Sequence, residues 1–286
     1  MRVLIAGYPG QLAKSFVNEL TRRNIVFLTP PRYDLDITNN YQISGMISSF
    51  KPDVMINCAA YNSVEHAEQN MAEAIAVNYK AVENLVKEAE LHKIKLVHFS
   101  TDYVFDGTKC TQYLETDKTN PLNVYGKSKL AGENIALQYE NSLVFRLSWV
   151  IGYGRNNFLY KFTNWIKDKQ SVKVSNDEIS VPTFTFDIAK YVLMALDKNL
   201  TGLYHLTNSG RASRYELACK YAKNMGFTNE IIPVPMSAFE VPVKRPLVTA
   251  MSNRKISIEL GVHIPKWEDS LRIYCNTVKE NSDLSL

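Results

Sequence analysis

The sequence predicts an α/β fold, a doubly wound parallel sheet followed by a smaller C-terminal lobe. Three observations carry this prediction. Short apolar runs alternate with amphipathic segments through about the first 150 residues. A glycine-containing turn, Gly7 to Ala13, follows the first run, and a hydroxyl-rich stretch, Ser100 to Gly107, follows a later one. Such alternation is typical of parallel strands covered by helices on both faces.

Five apolar runs in the first half have the length and composition of buried strands. The segments between them carry apolar residues at helical spacing. Because crossovers between parallel strands are right-handed, these helices fall on both faces of the sheet. The predicted strands are Arg2 to Ala6, Ile25 to Leu28, Asp53 to Asn57, Lys95 to Phe99 and Leu143 to Leu147, and the predicted helices are Gln11 to Arg23, Glu65 to Leu91 and Val124 to Tyr139.

The pattern becomes irregular after about residue 150, and a Pro-rich stretch runs from Pro233 to Pro246. Helical spacing returns in Asp187 to Leu196, Ser213 to Met225 and Trp267 to Lys279. We therefore expect one domain over residues 1–150, to which segments at about 172–200 return, and mainly a smaller lobe over residues 151–286. A lobe laid over the carboxyl edge of the sheet would form a cleft where such sheets bind ligands.

Composition and charge narrow the class of protein. The 286-residue chain is 45% hydrophobic and 22% charged, with a net charge of +4, which is ordinary for a globular protein. It has no long basic block, so nucleic acid is not an expected partner. It has no apolar run of bilayer length and no signal-peptide pattern at its start. The four cysteines lack metal-ligand spacing. We expect a cytoplasmic protein with reduced thiols, no membrane association and no metal site.

The turn from Gly7 to Ala13 joins the first predicted strand to the first predicted helix. Gly7 and Gly10 permit a tight turn and let backbone amides approach a pyrophosphate at the positive end of the helix. Ala13 fills the third small position, where the helix packs closely. Such turns also join elements that bind nothing. The position after the first strand nevertheless favours a Rossmann dinucleotide-binding domain over residues 1–150.

The end of the second strand bears on the choice of nicotinamide cofactor. An acidic residue there binds the adenosine ribose of NAD, whereas an arginine accommodates the 2′-phosphate of NADP. The chain reads Thr29-Pro30-Pro31-Arg32, with no acid before Asp34. Arg32 favours NADPH, while Asp34 and Asp36 keep NADH open. A solvated loop arginine is the plainer alternative for Arg32.

Two further motifs place reactive groups near the same edge. Ser100 to Gly107 puts hydroxyl and carboxylate groups at the end of the fourth strand. Tyr125 and Lys129 are four residues apart, so a helix places them on one face. About one pair with this spacing is expected by chance in such a chain. The pair alone therefore indicates only an exposed helix face. Together the two motifs supply a hydroxyl donor, a phenol and an ammonium group.

These motifs resemble those of dTDP-4-dehydrorhamnose reductases, a sugar-nucleotide branch of the extended short-chain dehydrogenases/reductases. The resemblance covers nearly the full length and implies an NAD(P)H-dependent oxidoreductase of dTDP-rhamnose and polysaccharide biosynthesis. The implied reaction reduces the 4-keto group of a nucleotide-linked 6-deoxyhexose, foremost dTDP-4-dehydrorhamnose to dTDP-L-rhamnose. Besides the glycine turn, the matching segments are Leu35 to Thr38, Asn57 to Tyr61, Ser100 to Gly107, Pro121 to Lys129, Arg146 to Trp149, Asn157-Phe158, Pro182-Thr183 and Lys244 to Pro246.

The resemblance implies a cofactor site built from three parts of the chain. The glycine turn would contact the pyrophosphate, the residues around Asp36 would lie near the adenine, and the segment after the third strand would line the rest. The lysine four residues after Tyr125 would bind the nicotinamide ribose. With Arg32 added from the strand-end argument, the predicted cofactor residues are Gly7, Gly10, Gln11, Leu12, Arg32, Asp36, Ile37, Ala59, Ala60, Tyr61, Tyr125 and Lys129.

The resemblance also implies the catalytic residues Thr101, Tyr125 and Lys129. Tyr125 would protonate the oxygen formed from the ketone, and the Lys129 ammonium one turn away would lower the pKa of the phenol. Thr101 would donate a hydrogen bond to the same oxygen. The predicted substrate residues are Thr101, Asp102, Trp149, Lys244 and Arg245.

Some of these assignments have plainer alternatives. Without the resemblance, Trp149 would be interpreted as a core residue. Lys244-Arg245 is the candidate for binding the substrate diphosphate, and its plainer interpretation is a solvated surface pair. The chain departs from the family at Ser15, where metal-linked members carry glutamate, so a magnesium-bridged dimer is not expected, although a homodimer stays open. Pro31 stands where an acid often ends the second strand.

Two other functions stay open beside ketone reduction. One is a non-catalytic nucleotide-binding regulatory subunit, like the regulator of methionine adenosyltransferase. The other is a sugar-nucleotide epimerase or dehydratase, since those relatives share the Tyr-x-x-x-Lys pair. The presence of Thr101, Tyr125 and Lys129 together favours the reductase.

Overall fold

A parallel sheet of six strands forms the centre of the protein, in a computed structural model that describes residues 1–155 and 157–281. In chain order, the strands are β1 (Arg2–Ala6), β2 (Val26–Leu28), β3 (Val54–Asn57), β4 (Lys95–Thr101), β5 (Ser142–Leu147), β6 (Val150–Ile151), β7 (Ser171–Ser175), β8 (Ile179–Ser180), β9 (Thr183–Phe184), β10 (Gly202–His205), β11 (Ala212–Ser213) and β12 (Glu230–Val234). The central sheet has the order β2-β1-β3-β4-β5-β10.

The helices are α1 (Gln11–Arg22), α2 (Asn40–Phe50), α3 (Val64–Gln69), α4 (Met71–Ile75), α5 (Ala81–His92), α6 (Val124–Ala136), α7 (Phe158–Lys167), α8 (Thr185–Asp197), α9 (Arg214–Met225), α10 (Arg254–Leu260) and α11 (Trp267–Glu280). A π-helical turn, Ala76–Lys80, joins α4 to α5, and 3-10 turns cover Asp102–Val104 and Met236–Ala238. Within the described ranges, no helix is both long and apolar enough to cross a bilayer.

Helices cover both faces of the central sheet, so the predicted doubly wound α/β fold is confirmed. One core joins the sheet to α1 and α8 through side chains such as Phe16 and Val192. The core on the other face contains Ile43 of α2 and Leu85 of α5. The strand order reverses between β1 and β3, which makes their carboxyl ends the expected place for a ligand.

The five predicted strands all occur, and β4 continues two residues further, to Thr101. The single helix predicted over Glu65 to Leu91 is wrong, because Asn70 leaves the helical region at φ −123° and ψ 51°. The chain there forms α3, α4, the π-helical turn and α5 instead. The sequence analysis missed α2, α7, α10 and β10. In α2, three serines and Gly45 dilute the helical pattern, and the Asn39 side chain caps its start.

The second half of the chain forms three small strand pairs, β6 with β9, β7 with β12 and β8 with β11. These pairs lie among helices whose apolar side chains form a separate core, with Phe162 and Leu271 at its centre. In contrast, α8 packs on α1, and β10 pairs with β5 of the central sheet. The boundaries of the two domains stay a prediction.

Asn78 in the π-helical turn fixes the position of α6, the helix that carries Tyr125 and Lys129. Its side-chain amide donates to the Ser128 hydroxyl at 3.0 Å and to the Tyr61 carbonyl at 3.0 Å, and its side-chain oxygen accepts from the Tyr61 amide at 2.8 Å. Its backbone carbonyl lies so close to Gly132 that an added Cβ would be 2.0 Å away. The close approach of the two helical segments therefore requires glycine at position 132.

We expect Gly132→Ala to lower the free energy of unfolding by about 1–3 kcal/mol, because the added methyl group forces α6 away from the π-helical turn. Gly45→Ala is the matched control. It lies in a helix where an added Cβ meets nothing within 4 Å, so the variant should gain up to about 1 kcal/mol from helix propensity. Urea unfolding measures both. Equal stability of the two variants would contradict the proposed packing constraint.

Candidate active site

A cavity of about 870 Å³ lies at the carboxyl edge of the sheet, between the sheet and the second lobe. The ends of β1, β3 and β4 contribute one wall through Gly10, Ala59 and Thr101. Segments after residue 148 contribute the opposite wall through residues such as Trp149 and Arg214. Its volume is within the range of pockets that hold small molecules and cofactors.

The glycine turn is shaped for the close approach of another segment. Gly7 has a φ of +95°, and a Cβ there would lie 2.5 Å from the Ala59 amide nitrogen. Gly10 begins α1, and among the described residues no side chain caps this helix and no acidic side chain lies in its first turn. The start of α1 lies at the cavity, which Gly10, Gln11, Leu12 and Ala13 line. This arrangement fits the pyrophosphate of a dinucleotide.

Gln11 also ties the turn to the second lobe. Its side-chain oxygen accepts from the Gly152 amide at 3.0 Å, and its side-chain nitrogen donates to the Val150 carbonyl at 3.3 Å. Ser15, one turn further along α1, donates to the Thr185 hydroxyl of α8 at 2.7 Å. The position where a metal-linked relative carries glutamate is thus part of a helix contact in this chain.

Thr101, Tyr125 and Lys129 meet at the cavity, as the sequence predicts they would. Thr101 ends β4, and all three residues line the cavity. Tyr125 packs edge-on against Tyr103, with ring centroids 5.6 Å apart. Lys129 is buried, and its Nζ donates to the Phe99 carbonyl at 2.6 Å. A hydroxyl, a phenol and an ammonium group therefore lie within one site.

The pKa values of this group are set mainly by burial. Burial raises the pKa of Tyr125 to about 12. Burial lowers the pKa of Lys129 to about 8, and the Glu133 carboxylate opposes that shift. The sequence analysis expected Lys129 to lower the pKa of Tyr125. In this structure the pKa moves the other way, since the ammonium bonds to a backbone carbonyl and burial disfavours the phenolate.

Asp102 is buried in the wall of the cavity, directly after Thr101. Its carboxylate accepts hydrogen bonds from the hydroxyl groups of Ser148, Ser180 and Thr249. Burial raises its pKa, and these hydrogen bonds oppose the shift. The predicted substrate residue thus lies at the site, and two of its hydrogen bonds, from Ser180 and Thr249, come from the second half of the chain.

The predicted Trp149 lies in the cavity wall with a φ of +39°. The guanidinium group of Arg214 lies 3.6 Å from the centre of its ring. Arg214 also lines the cavity, as do Lys161 and Lys173. The sequence analysis missed these three cations. Arg214 follows Ser213, the cap of α9, and nothing local marks it as a binding residue.

The predicted pair Lys244 and Arg245 is split by the structure. Arg245 lines the cavity and forms an ion pair with Glu65, while its Nε is buried without a hydrogen-bond partner among the described residues. Lys244 is exposed and outside the cavity lining, and its carbonyl accepts from Asn123 at 3.0 Å. Arg245 is therefore the stronger candidate for binding an anion.

Several predicted cofactor residues do not line the cavity. Arg32 is largely exposed and bonds to the Asp36 carboxylate at 3.2 Å. Burial raises the pKa of Asp36, but hydrogen bonds from Thr38 and Arg32 outweigh it and leave the pKa lowered. Ile37 is in the core, and Tyr61, like Tyr125, packs against a small apolar cluster that contains Val124. Arg32 and Asp36 lie on the loop that follows β2, close to the glycine turn through the bridge between Tyr8 and Pro31.

Comparisons with known proteins agree on one family. The family described as RmlD substrate binding domain matches residues 1–280. The chain is 34% identical to the dTDP-4-dehydrorhamnose reductase of Aggregatibacter actinomycetemcomitans, over 95% of this chain and 97% of that protein.

Solved structures give the same result. A dTDP-4-dehydrorhamnose reductase from Clostridium acetobutylicum superposes with a TM-score of 0.94 at 32% identity, covering 98% of this chain and 100% of that one. The Bacillus anthracis dTDP-4-dehydrorhamnose reductase in complex with NADP gives a TM-score of 0.93 at 30% identity, covering 96% and 99%.

We expect Lys129→Met to be more stable than the wild type at pH 7. The lowering of the Lys129 pKa from 10.5 to about 8 means that the buried ammonium lowers the free energy of unfolding by about 3 kcal/mol. From pH 8 to 10.5 the unfolded chain holds more protons than the native one, so wild-type stability rises and the difference should vanish. Urea unfolding across this range measures it.

Lys127→Met, which removes an exposed ammonium from the same helix, is the control for Lys129→Met. A Lys129→Met protein less stable than the wild type at pH 7 would show that the ammonium stabilises the fold.

Proposed function

Because the chain belongs to the dTDP-4-dehydrorhamnose reductase family, we propose that it reduces the 4-keto group of dTDP-4-dehydrorhamnose with NADPH to give dTDP-L-rhamnose. The observation that carries the proposal is the meeting of Thr101, Tyr125 and Lys129 in one cavity beside the glycine turn. A ketone reductase needs a proton donor next to a dinucleotide site, and the residues that line this cavity are suited to both roles. A cytoplasmic location and a homodimer stay predictions.

NADPH bound in this cavity supplies the hydride. The amides at the start of α1 and the side chains of Gln11 and Leu12 would hold its pyrophosphate. Ala59 and Ala60, after β3, present small side chains to the cavity beside the turn. Lys129, held by the Phe99 carbonyl, would reach the ribose next to the nicotinamide.

Tyr125 would give its phenolic proton to the oxygen of the ketone as negative charge develops there. A phenol with a pKa raised to about 12 is protonated at neutral pH, as a proton donor must be. The Thr101 side chain lines the cavity together with this phenol. Lys129, with a pKa near 8, retains most of its charge at neutral pH.

Arg245 and the three missed cations are proposed to bind the diphosphate of the substrate. Arg214, Lys161 and Lys173 line the side of the cavity formed by the second lobe, opposite the turn. Arginine suits this role because its planar guanidinium can make paired hydrogen bonds to phosphate. Trp149, stacked on Arg214, would present an aromatic face to the sugar nucleotide.

Turnover of a panel of dTDP-4-keto-6-deoxysugars with NADPH and with NADH tests the function. We expect NADPH oxidation with dTDP-4-dehydrorhamnose, and the product's stereochemistry identifies dTDP-L-rhamnose. Binding without turnover would favour the regulatory subunit. Conversion of the sugar with no net consumption of cofactor would favour the epimerase or dehydratase.

We expect Tyr125→Phe to lower kcat by about 100- to 10,000-fold, because the phenyl ring has no proton to give. Cofactor binding, followed by quenching of tryptophan fluorescence, should stay nearly unchanged. Tyr139→Phe removes another buried tyrosine hydroxyl, which donates to the Ala89 and Ile94 carbonyls outside the cavity, and should keep the wild-type kcat. Full turnover by Tyr125→Phe would exclude Tyr125 as the proton donor.

We expect Arg32→Ala to raise the KM for NADPH by about 10- to 100-fold, because the variant loses a charged hydrogen bond to the 2′-phosphate. The KM for NADH should not change, since NADH lacks that group. Arg22→Ala removes another exposed arginine, one that pairs with Glu19 on α1, and is the control. An equal rise for both cofactors would assign 2′-phosphate recognition to another residue.

A further inference from the structure

The Asp102 carboxylate lies at the meeting point of four hydroxyl groups. Its Oδ2 accepts from Ser148 at 3.0 Å, from Ser180 at 2.9 Å and from Thr249 at 2.5 Å. Its Oδ1 accepts from Thr101 at 3.2 Å. Asp102 is 3% exposed, and Ser148, Ser180 and Thr249 are each at most 2% exposed. We call these five residues the hydroxyl cluster.

The hydroxyl cluster joins distant segments of the chain. Ser148 follows β5, Ser180 ends β8, and Thr249 lies in the loop that carries Arg245. Within the described part of the chain, Asp102 forms no ion pair, so hydroxyl groups alone compensate its charge. A buried carboxylate needs such compensation, and removing one hydroxyl group would leave the charge poorly satisfied.

An ionised carboxylate accepts hydrogen bonds and cannot donate them, which fixes the direction of each bond in the cluster. The single proton of the Thr101 hydroxyl therefore goes to Asp102. The Thr101 oxygen also accepts from the Tyr103 amide at 3.2 Å, which leaves it one lone pair. With its proton directed to Asp102, the Thr101 hydroxyl can present only this lone pair to Tyr125, which lines the same cavity.

We propose that Asp102 is a positioning residue that sets the direction of the Thr101 hydroxyl and, through it, the orientation of the Tyr125 phenol. Thr101 then orients the proton donor, a different task from the hydrogen bond to the ketone that the family resemblance implies. Because Ser180 and Thr249, from the second half of the chain, bond to the other carboxylate oxygen, the orientation depends on that half being in place. This inference rests on the proposed reductase function.

Asp102→Asn tests the direction of the hydrogen bonds. The three hydroxyl groups can still donate to its oxygen, but its amide nitrogen would donate to Thr101 and reverse that bond. We expect kcat to fall at least tenfold, while the KM for the nucleotide sugar and the affinity for NADPH change by no more than about threefold. Asp187→Asn is the matched control: Asp187 is a buried carboxylate that accepts from Asn208 at 2.8 Å and Ser270 at 2.6 Å, outside the cavity lining.

A double-mutant cycle separates positioning from general loss of structure. If Asp102 acts through Thr101, the variant Thr101→Val with Asp102→Asn should be no slower than Thr101→Val alone. Effects that multiply, or an unchanged kcat in Asp102→Asn, would overturn the proposal. A wild-type protein that reduces no 4-keto sugar would instead refute the proposed function, so the two failures are distinguishable.

Thr249→Val provides a second test if Asp102→Asn does not fold. It keeps the carboxylate and removes one hydroxyl group far from Thr101 in the sequence. We expect kcat to fall several-fold in the wild-type background and not at all in the Thr101→Val background. The same fall in both backgrounds would overturn the proposal.

Discussion

The register of the parallel strands is the constraint on which the site depends. β1 pairs with β3 so that Ala6 lies beside Asn57, and β3 pairs with β4 so that Asn57 lies beside His98. The glycine turn, the Ala59 segment and Thr101 therefore emerge side by side at one edge of the sheet. The fit is close, because Ala59 passes where a Cβ on Gly7 would be. A slip of one residue in either pairing would separate the turn from the reactive groups.

The second lobe meets this edge through specific polar contacts. Many of its apolar side chains form a separate core, and others, such as Ile256 and Met251, pack with the first half of the chain. Its contacts with the site include the Asp102 carboxylate, the Gln11 amide and the ion pair between Arg245 and Glu65. Burying a carboxylate among hydroxyl groups demands exact geometry from each partner. The lobe is therefore held at the site in a specific arrangement.

The sequence predicted the parts of this structure that local patterns determine. Apolar strands and helical spacing are local, and sheet topology then brings Thr101 together with Tyr125 and Lys129. Contacts between segments that are distant in the sequence could not be predicted from these local patterns. Arg214 reaches the cavity by stacking on Trp149, and Asn78 holds α6 from a π-helical turn that looked like continuous helix. The expected effect of Lys129 on Tyr125 failed for a related reason, since the degree of burial is a property of the whole fold.

The bond between Gln11 and the 150–157 segment bears on how such enzymes can be recombined. One side chain of the glycine turn, Gln11, hydrogen-bonds to backbone groups at Val150 and Gly152 and to the Asn157 amide. The two halves of the chain are consequently not interchangeable modules. A chimera that takes its first half from a distant relative must also take that relative's version of this segment. Otherwise two backbone groups lose their hydrogen-bond partner.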